Sequence, residues 1–467
     1  MRRITLYEFQ RKYLSAIRTE GLEVTPESLQ RFFEVINGLY GREHEVLSLK
    51  YDTRRGEYYI KAHGSVGFAY HLGEPGFMIQ VLPRPYKRDP DEARSLRFFL
   101  SLMNLSGGLG LGRREIEEAV STYARGEGGV HELFLYLYTY LLSRELFHGL
   151  YQEYSEVEEE LRTIRGRVLL SRLARRPPLG REVPVRHAVL DVDTSLNRVL
   201  KAALEVVVEV SAWEGIARAA EALIRYFADV GPLRQGDIER VTFNPLNERF
   251  RPIFHLATMI LAGFGKLSRG GFTAPGIFIE MDRLFEDLVY HTILTALSGK
   301  GRVHRQQLLP HIIRNASEIE AKMGAVFTFG PPRPDMLIQM PGGRCVLEVK
   351  YRNLSVKMGE AWWRKLVRSS GELYQVYSYS RISGGGALIV YPRLRGQYNG
   401  WLPDMFDEGV ETFSFFDGTP LGIVGYELSH IGRDVLIARR GVVLDGKIAG
   451  NVRNLLESVC VLNGEKV

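Results

Sequence analysis

Cysteine is almost absent from this 467-residue chain, which has Cys345 and Cys460 alone. Two cysteines so far apart exclude a cysteine-built zinc cluster and give no disulfide framework, which suits a reducing, cytoplasmic setting. Histidine is also sparse. His63, His71, His148, His187, His255 and His291 fall in no compact HxH or HExxH pattern, so the chain does not read as a zinc hydrolase. No uninterrupted apolar run reaches the 18 residues of a membrane helix. The start, Met1-Arg2-Arg3-Ile4-Thr5, lacks the apolar run and cleavage signal of a secretory peptide. A GxxxxGKS/T phosphate loop is missing as well. The glycine run from Ser106 to Gly112 has no lysine and hydroxyl after it, so it reads as a flexible connection. Ser65, in His63-Gly-Ser-Val-Gly67, falls short of a GxSxG elbow, and its setting reads as a β-turn.

What remains is an ordinary folding composition, 45% hydrophobic and 25% charged, long enough for two to four domains with substantial cores. The net charge of +6 permits contact with nucleic acid but is modest for this length. Locally it is sharper. Arg162, Arg165, Arg167, Arg172, Arg175, Arg176, Arg181 and Arg186 crowd one segment, able to meet DNA or an acidic partner surface. Arg352, Lys357, Arg364, Lys365 and Arg368 form a second group. These five are candidates for holding backbone phosphates, or else a solvated face.

The second group directly follows the chain's most chemical stretch. Residues 335–340 and 344–349 are short, apolar and β-compatible, with Pro341-Gly342-Gly343 between them. That pattern predicts a hairpin, because proline fixes one turn dihedral and glycine reaches positive φ cheaply. Strand periodicity puts Glu348 and Lys350 on one face. Asp335, at the head of the partner strand, returns beside them. Two carboxylates and an ammonium at one sheet edge suit Mg²⁺-dependent phosphodiester cleavage, with Mn²⁺ as a substitute, since hard oxygen ligands match such ions. Lys350 would stabilise developing negative charge or position a water. Read by spacing alone, the same pair is also a solvated salt bridge worth about 0–1 kcal/mol.

Flanking segments add context. Leu373 to Tyr379 reads as a helix with Gln375 and Tyr379 on one face, and Ala387 to Tyr391 as a buried strand closed by Pro392. Strand, turn, strand, helix, strand predicts a mixed sheet with a crossover helix. Upstream, Ile279 to Leu297 reads as a helix with Glu286 on a largely apolar stripe, either reaching water at the stripe edge or serving as a further site acid. The fold class expected is α+β and multidomain. Residues 1–95 form a β-rich domain with one early helix, a candidate partner-docking or DNA-binding module. Residues 96–269 form a mainly helical middle region with a basic connection. Residues 270–467 form the site-bearing domain with a small C-terminal β/helix extension.

Asp335, Glu348-x-Lys350 and Gln375-x-x-x-Tyr379 resemble the PD-(D/E)xK nuclease superfamily, and the Glu286 helix matches the acid-bearing helix that often precedes that core. More narrowly, the chain resembles the McrC family, the nuclease subunits of McrBC modification-dependent restriction systems. Ile164-Arg165-Gly166-Arg167-Val168, Asp193 to Leu200, Phe285 to Tyr290, Leu373-Tyr374-Gln375 and Gly386 to Pro392 carry that likeness. The resemblance implies a restriction-endonuclease-like α/β core with a central mixed sheet. It implies Asp335, Glu348 and Glu286 as metal-site acids, Lys350 as the transition-state cation and Gln375 as an orienting residue. It also implies an McrB-type AAA+ GTPase ring as partner, whose hydrolysis the chain stimulates, and modified double-stranded DNA as substrate. Two other readings share these residues: a docking and activating scaffold that contributes little cleavage, and a repair or defence nuclease with another partner.

Overall fold

The computed structural model describes residues 2–39, 45–71, 74, 76–84, 91–125, 129–175, 182–264, 276–310, 331–352, 370–393, 402–438 and 441–460. The chain is α+β and divides into two compact units, one of Met1–Ala124 with Phe278–Val467 and the other of Arg125–Ile277. The boundary expected at 95/96 falls inside the helix Glu92–Gly107. The boundary at 269/270 lies outside the described residues.

In the first unit β1 (Arg2–Tyr7), β2 (Ser65–His71) and β3 (Phe77–Leu82) share a sheet, with β3 parallel to β1 and antiparallel to β2. β3 is buried along its whole length, as a central strand covered on both faces should be. Its one polar side chain, Gln80, donates to Thr5 Oγ1 at 3.0 Å. Ser65 therefore opens a strand and not a turn. A second, antiparallel sheet joins Arg11–Tyr13, Glu57–Ala62 and Leu47–Asp52. Two early helices are present, Leu14–Thr19 and Pro26–Leu39, where one was expected. The next helix, α1 (Glu92–Gly107), starts on an Asp91 cap and ends at Gly108 with φ 60°. The glycine run after it is held by buried Asn104, which accepts from Leu111 N and donates to Leu111 O.

The rest of the unit begins with α2 (Met281–Leu297) and β4 (Arg302–Arg305), followed by β5 (Met336–Met340) and β6 (Gly343–Val349). After these come α3 (Ser370–Ser383), β7 (Gly386–Arg393), β8 (Pro420–Glu427) and α4 (Gly446–Val459). The sheet order is β4-β5-β6-β7-β8 with a short edge strand, Phe413–Ser414, beyond β8. β4, β5 and β6 are successively antiparallel, whereas β6, β7 and β8 are parallel. Parallel neighbours need a crossover, and α3 lies within the one joining β6 to β7. On one face Leu337, Val346, Ala387, Ile389 and Leu421 pack with Val376 of α3. Elsewhere in the unit, Thr292 of α2 pairs with Tyr426 of β8 at 2.9 Å, and Arg453 of α4 donates to Ala296 O at 2.8 Å.

α4 ends directly against the start of β7. A Cβ on Gly386 would lie 2.0 Å from Val459 O, so only glycine fits there. Gly386 is paired in register with Cys345 of β6. The helix end thus brings Cys460 to Cys345, and the two form a disulfide with Cα atoms 4.6 Å apart. Their wide separation in sequence had suggested no such link. Long-range packing, invisible in spacing, makes it.

The second unit holds helices Val130–Leu146, Ser195–Val210, Glu214–Ile224 and Arg251–Phe264. It is not wholly helical. Glu153–Leu161 and Val183–Asp191 form a nine-residue antiparallel ribbon, joined by Arg167–Val168. Gly166, at φ 67°, enters that small sheet where a Cβ would lie 2.4 Å from Arg186 O. The Asp193 to Leu200 segment has a structural job. Thr194 caps its helix, Asn197 donates to Tyr151 O and Val192 O, and Arg198 bridges Asp193 and Asp237. Among the described residues, no helix is long and apolar enough to cross a membrane.

Candidate functional site

The sheet edge at the ends of β5 and β6 gathers the charges whose spacing singled them out. Asp335 immediately precedes β5, and the register that pairs Met336 with Leu347 sets it across from Glu348. Two bonds lock the arrangement: Val349 N donates to Asp335 Oδ2 at 2.8 Å, and Asp335 N donates to Glu348 Oε1 at 3.3 Å. Lys350 Nζ donates to Glu348 Oε2 at 2.7 Å. Glu348 is 1% exposed, so these groups are not the solvated surface pair that the sequence also allowed. The Lys350 backbone is fixed in turn, its N–H donating to Val390 O of β7 at 2.9 Å.

Burial governs the electrostatics. Desolvation, then the nearby Asp335 charge, pushes the Glu348 carboxyl up to about 7. Asp335 is likewise raised by burial, with Glu286 adding repulsion. Desolvation pulls Lys350 down, but the adjacent carboxylates outweigh it and hold the ammonium above its ordinary range. Two acids that resist ionising together and one firmly charged lysine make a site with unmet demand for positive charge.

Around them lies a cavity of about 690 Å³, lined on one wall by Glu280, Asp282, Arg283 and Glu286 of the α2 region. Glu286 thus faces the same cavity as Asp335 and Lys350. Its Oε1 accepts from Arg305 at 3.1 Å and from Gln306 at 3.4 Å. Arg305 also pairs with Asp287 at 2.5 Å and stacks over Tyr290 at 4.9 Å. Gln306 reaches towards Asp335 Oδ1 at 3.5 Å, while its backbone N–H donates to Asp335 O at 3.0 Å. It adopts φ 48°, a left-handed conformation uncommon outside glycine. Sequence reasoning missed Arg305 and Gln306, because nothing local marks a β4 end that touches a residue 29 positions later.

Gln375 is not among the residues that line the cavity. Its amide donates to Tyr379 Oη at 3.1 Å, a bond along one face of α3. The α3 residue that lines the cavity is Glu372, one turn earlier, which accepts from Arg352 at 2.6 Å and from Tyr391 at 2.8 Å. Arg352 is therefore engaged inside the site. Lys357, Arg364, Lys365 and Arg368 lie outside the described residues. Among the described residues no group of three or more His, Cys, Asp or Glu side chains is gathered as a metal cage. The cavity instead offers half-buried Asp335, Glu286 across from it and Lys350, with the buried Glu348 carboxylate bonded to that lysine.

Three comparisons place this architecture among known proteins. The profile of the family described as "McrBC 5-methylcytosine restriction system component" matches residues 60–392. No curated protein matches. Among solved structures, the chain is similar to one from the refined half-complex of a tetradecameric assembly of Thermococcus gammatolerans McrB AAA+ hexamers with bound McrC. The identity is 24%, over 97% of this chain and 99% of that one, with a TM-score of 0.63, a likeness of fold. A chain from the cryo-EM structure of the T. gammatolerans McrBC complex is 25% identical over 63% of this chain and 88% of that one, at a TM-score of 0.47.

Proposed function

The chain belongs to the family of McrBC 5-methylcytosine restriction system components, and we propose that it is the DNA-cutting subunit of such a system, its Asp335–Glu348–Lys350 cluster being a PD-(D/E)xK-type centre. The observation that carries this reading is a pair of carboxylates set across from each other in register, Glu348 buried and Asp335 half-buried, with Lys350 Nζ 2.7 Å from Glu348. The donor set fits a hard divalent cation, since both carboxyls are held above their ordinary range by burial, with the Glu286 charge raising Asp335 further and the Asp335 charge raising Glu348, and bound positive charge would relieve this. Asp335 and Glu348 would hold Mg²⁺, with Glu286 facing it. When bound, the ion supplies Lewis acidity towards a phosphodiester and lowers the pKa of a water.

The chain's own residues do the positioning. Val349 N–H fixes Asp335 Oδ2, which leaves Oδ1 turned towards Gln306. Lys350 stays protonated and presents a cation where charge develops on a phosphate. Arg305 neutralises Glu286 and Asp287, limiting repulsion of the DNA backbone. Modified double-stranded DNA as substrate and an McrB-type AAA+ GTPase ring as partner complete the proposal.

A second reading, a docking scaffold that activates the ring without cutting, is supported by the family match, which speaks to assembly and not to chemistry. Cleavage of methylated DNA with ring, GTP and Mg²⁺ separates the two. Asp335→Asn and Lys350→Ala should each cut at least about 100-fold more slowly while GTP hydrolysis by the ring is retained. Undiminished cutting by folded variants would return the chain to the scaffold role.

A further inference from the structure

Residue 8 lies far from the cluster in sequence but not in space. Glu8 directly follows β1 and is 1% exposed. Its backbone N–H donates to Leu82 O at 2.9 Å, extending the β1–β3 pairing. Its Oε2 accepts from Arg84 N at 3.1 Å and from Tyr351 Oη at 2.9 Å. Tyr351 is the residue immediately after Lys350. The phenol is clamped between two rings, Phe285 of α2 at 5.3 Å and Phe9 at 6.3 Å. Phe9 itself adopts φ 58°, so the turn after Glu8 keeps a left-handed residue against this tyrosine.

A buried carboxyl is an expensive way to fill space. Its Oε1 has no hydrogen-bond partner among the described residues, which a purely packing role would not call for. What the carboxyl adds is direction. It fixes the Tyr351 hydroxyl from the first sheet, while the Lys350 amide is fixed from β7 by Val390 O. The Lys350–Tyr351 segment is thus tethered at two points, the amide of one residue and the hydroxyl of the next.

We propose that Glu8 is a positioning residue for the site lysine, acting through the Tyr351 hydroxyl to set where Lys350 presents its ammonium. This inference rests on the reading of the cluster as a cutting centre. The N-terminal segment is then a structural part of that centre and not only a docking module. Glutamine, whose carboxamide oxygen can accept both bonds, should substitute for Glu8 in this task, and alanine should not.

The test uses the full chain assembled with the AAA+ ring, Mg²⁺ and methylated DNA, with variants Glu8→Gln, Glu8→Ala and Tyr351→Phe. Glu8→Ala and Tyr351→Phe should lower kcat about tenfold or more with KM for DNA unchanged, and Glu8→Gln should recover most of the loss. Amide hydrogen exchange at residues 349–352, read without DNA, should rise in Glu8→Ala and Tyr351→Phe. Wild-type kcat and exchange in both variants would overturn the proposal, as would an effect confined to KM. Faster exchange in the two variants, alongside a wild type that does not cut, would instead overturn the cutting centre while leaving the Glu8 contact in place.

Discussion

At the scale of single residues, Glu8 and Glu348 are both acids pushed upward by burial, but only Glu348 has a cation to offset it. Glu8 is raised from 4.5 to about 8, by desolvation first and by the Asp282 charge in the same direction, against the lowering bonds from Arg84 N and Tyr351. The sign follows from proton binding. Between those two values the folded chain keeps a proton that the unfolded chain has lost. The associated stability is therefore complete below about 4.5 and is lost as pH rises through about 8. Glu8→Gln cannot titrate, so its unfolding free energy should fall less steeply over that window, and by pH 8 it should exceed the wild type's. Denaturant unfolding at a series of pH values checks this, and identical slopes would refute it. At Lys350 the caution is different. Removing it strands Glu348 in a buried setting, a loss that commonly destabilises by about 3–5 kcal/mol. Every cleavage assay on Lys350→Ala should therefore carry a thermal melt beside it.

At the scale of elements, the close approach of α4 to β7 makes a firm expectation. Gly386→Ala places a methyl 2.0 Å from Val459 O, a backbone atom that cannot move without shifting the helix end. The variant should lose about 1–3 kcal/mol, or more if β7 is displaced, measured as a lower urea midpoint. An unchanged midpoint would mean that α4 is not seated there. The elements legible in the sequence were those with their own periodicity and punctuation. The β5–β6 hairpin, α3 and β7 stand close to where their apolar patterns put them. Glu153–Leu161 was not legible, because a two-stranded ribbon with mostly exposed faces needs no apolar alternation, and its glutamates read as helix surface. Ser65–His71 was hidden by flanking glycine. The site divides likewise. Asp335, Glu348 and Lys350 lie along one hairpin and declare themselves by spacing, whereas Arg305, Gln306 and Glu8 join through tertiary contacts that no local pattern encodes.

At the scale of the molecule, the disulfide ties β6 to the end of α4 across a separation of 115 residues. Closing a loop of that length restricts the unfolded chain, a contribution typically of about 2–4 kcal/mol. Reduction of the wild type, or Cys460→Ser, should lower the denaturant midpoint accordingly, and a midpoint indifferent to reductant would remove the disulfide from the folded state in solution. The first unit is also discontinuous in sequence, built from Met1–Ala124 and Phe278–Val467. Glu8 and the tyrosine it binds are 343 residues apart. During synthesis at about 5–20 residues per second, Glu8 leaves the ribosome roughly 20 to 70 seconds before its partner. For all of that interval the nascent chain carries the acid without the hydroxyl that binds it in the folded unit, and without the residues of the Asp335–Glu348–Lys350 cluster.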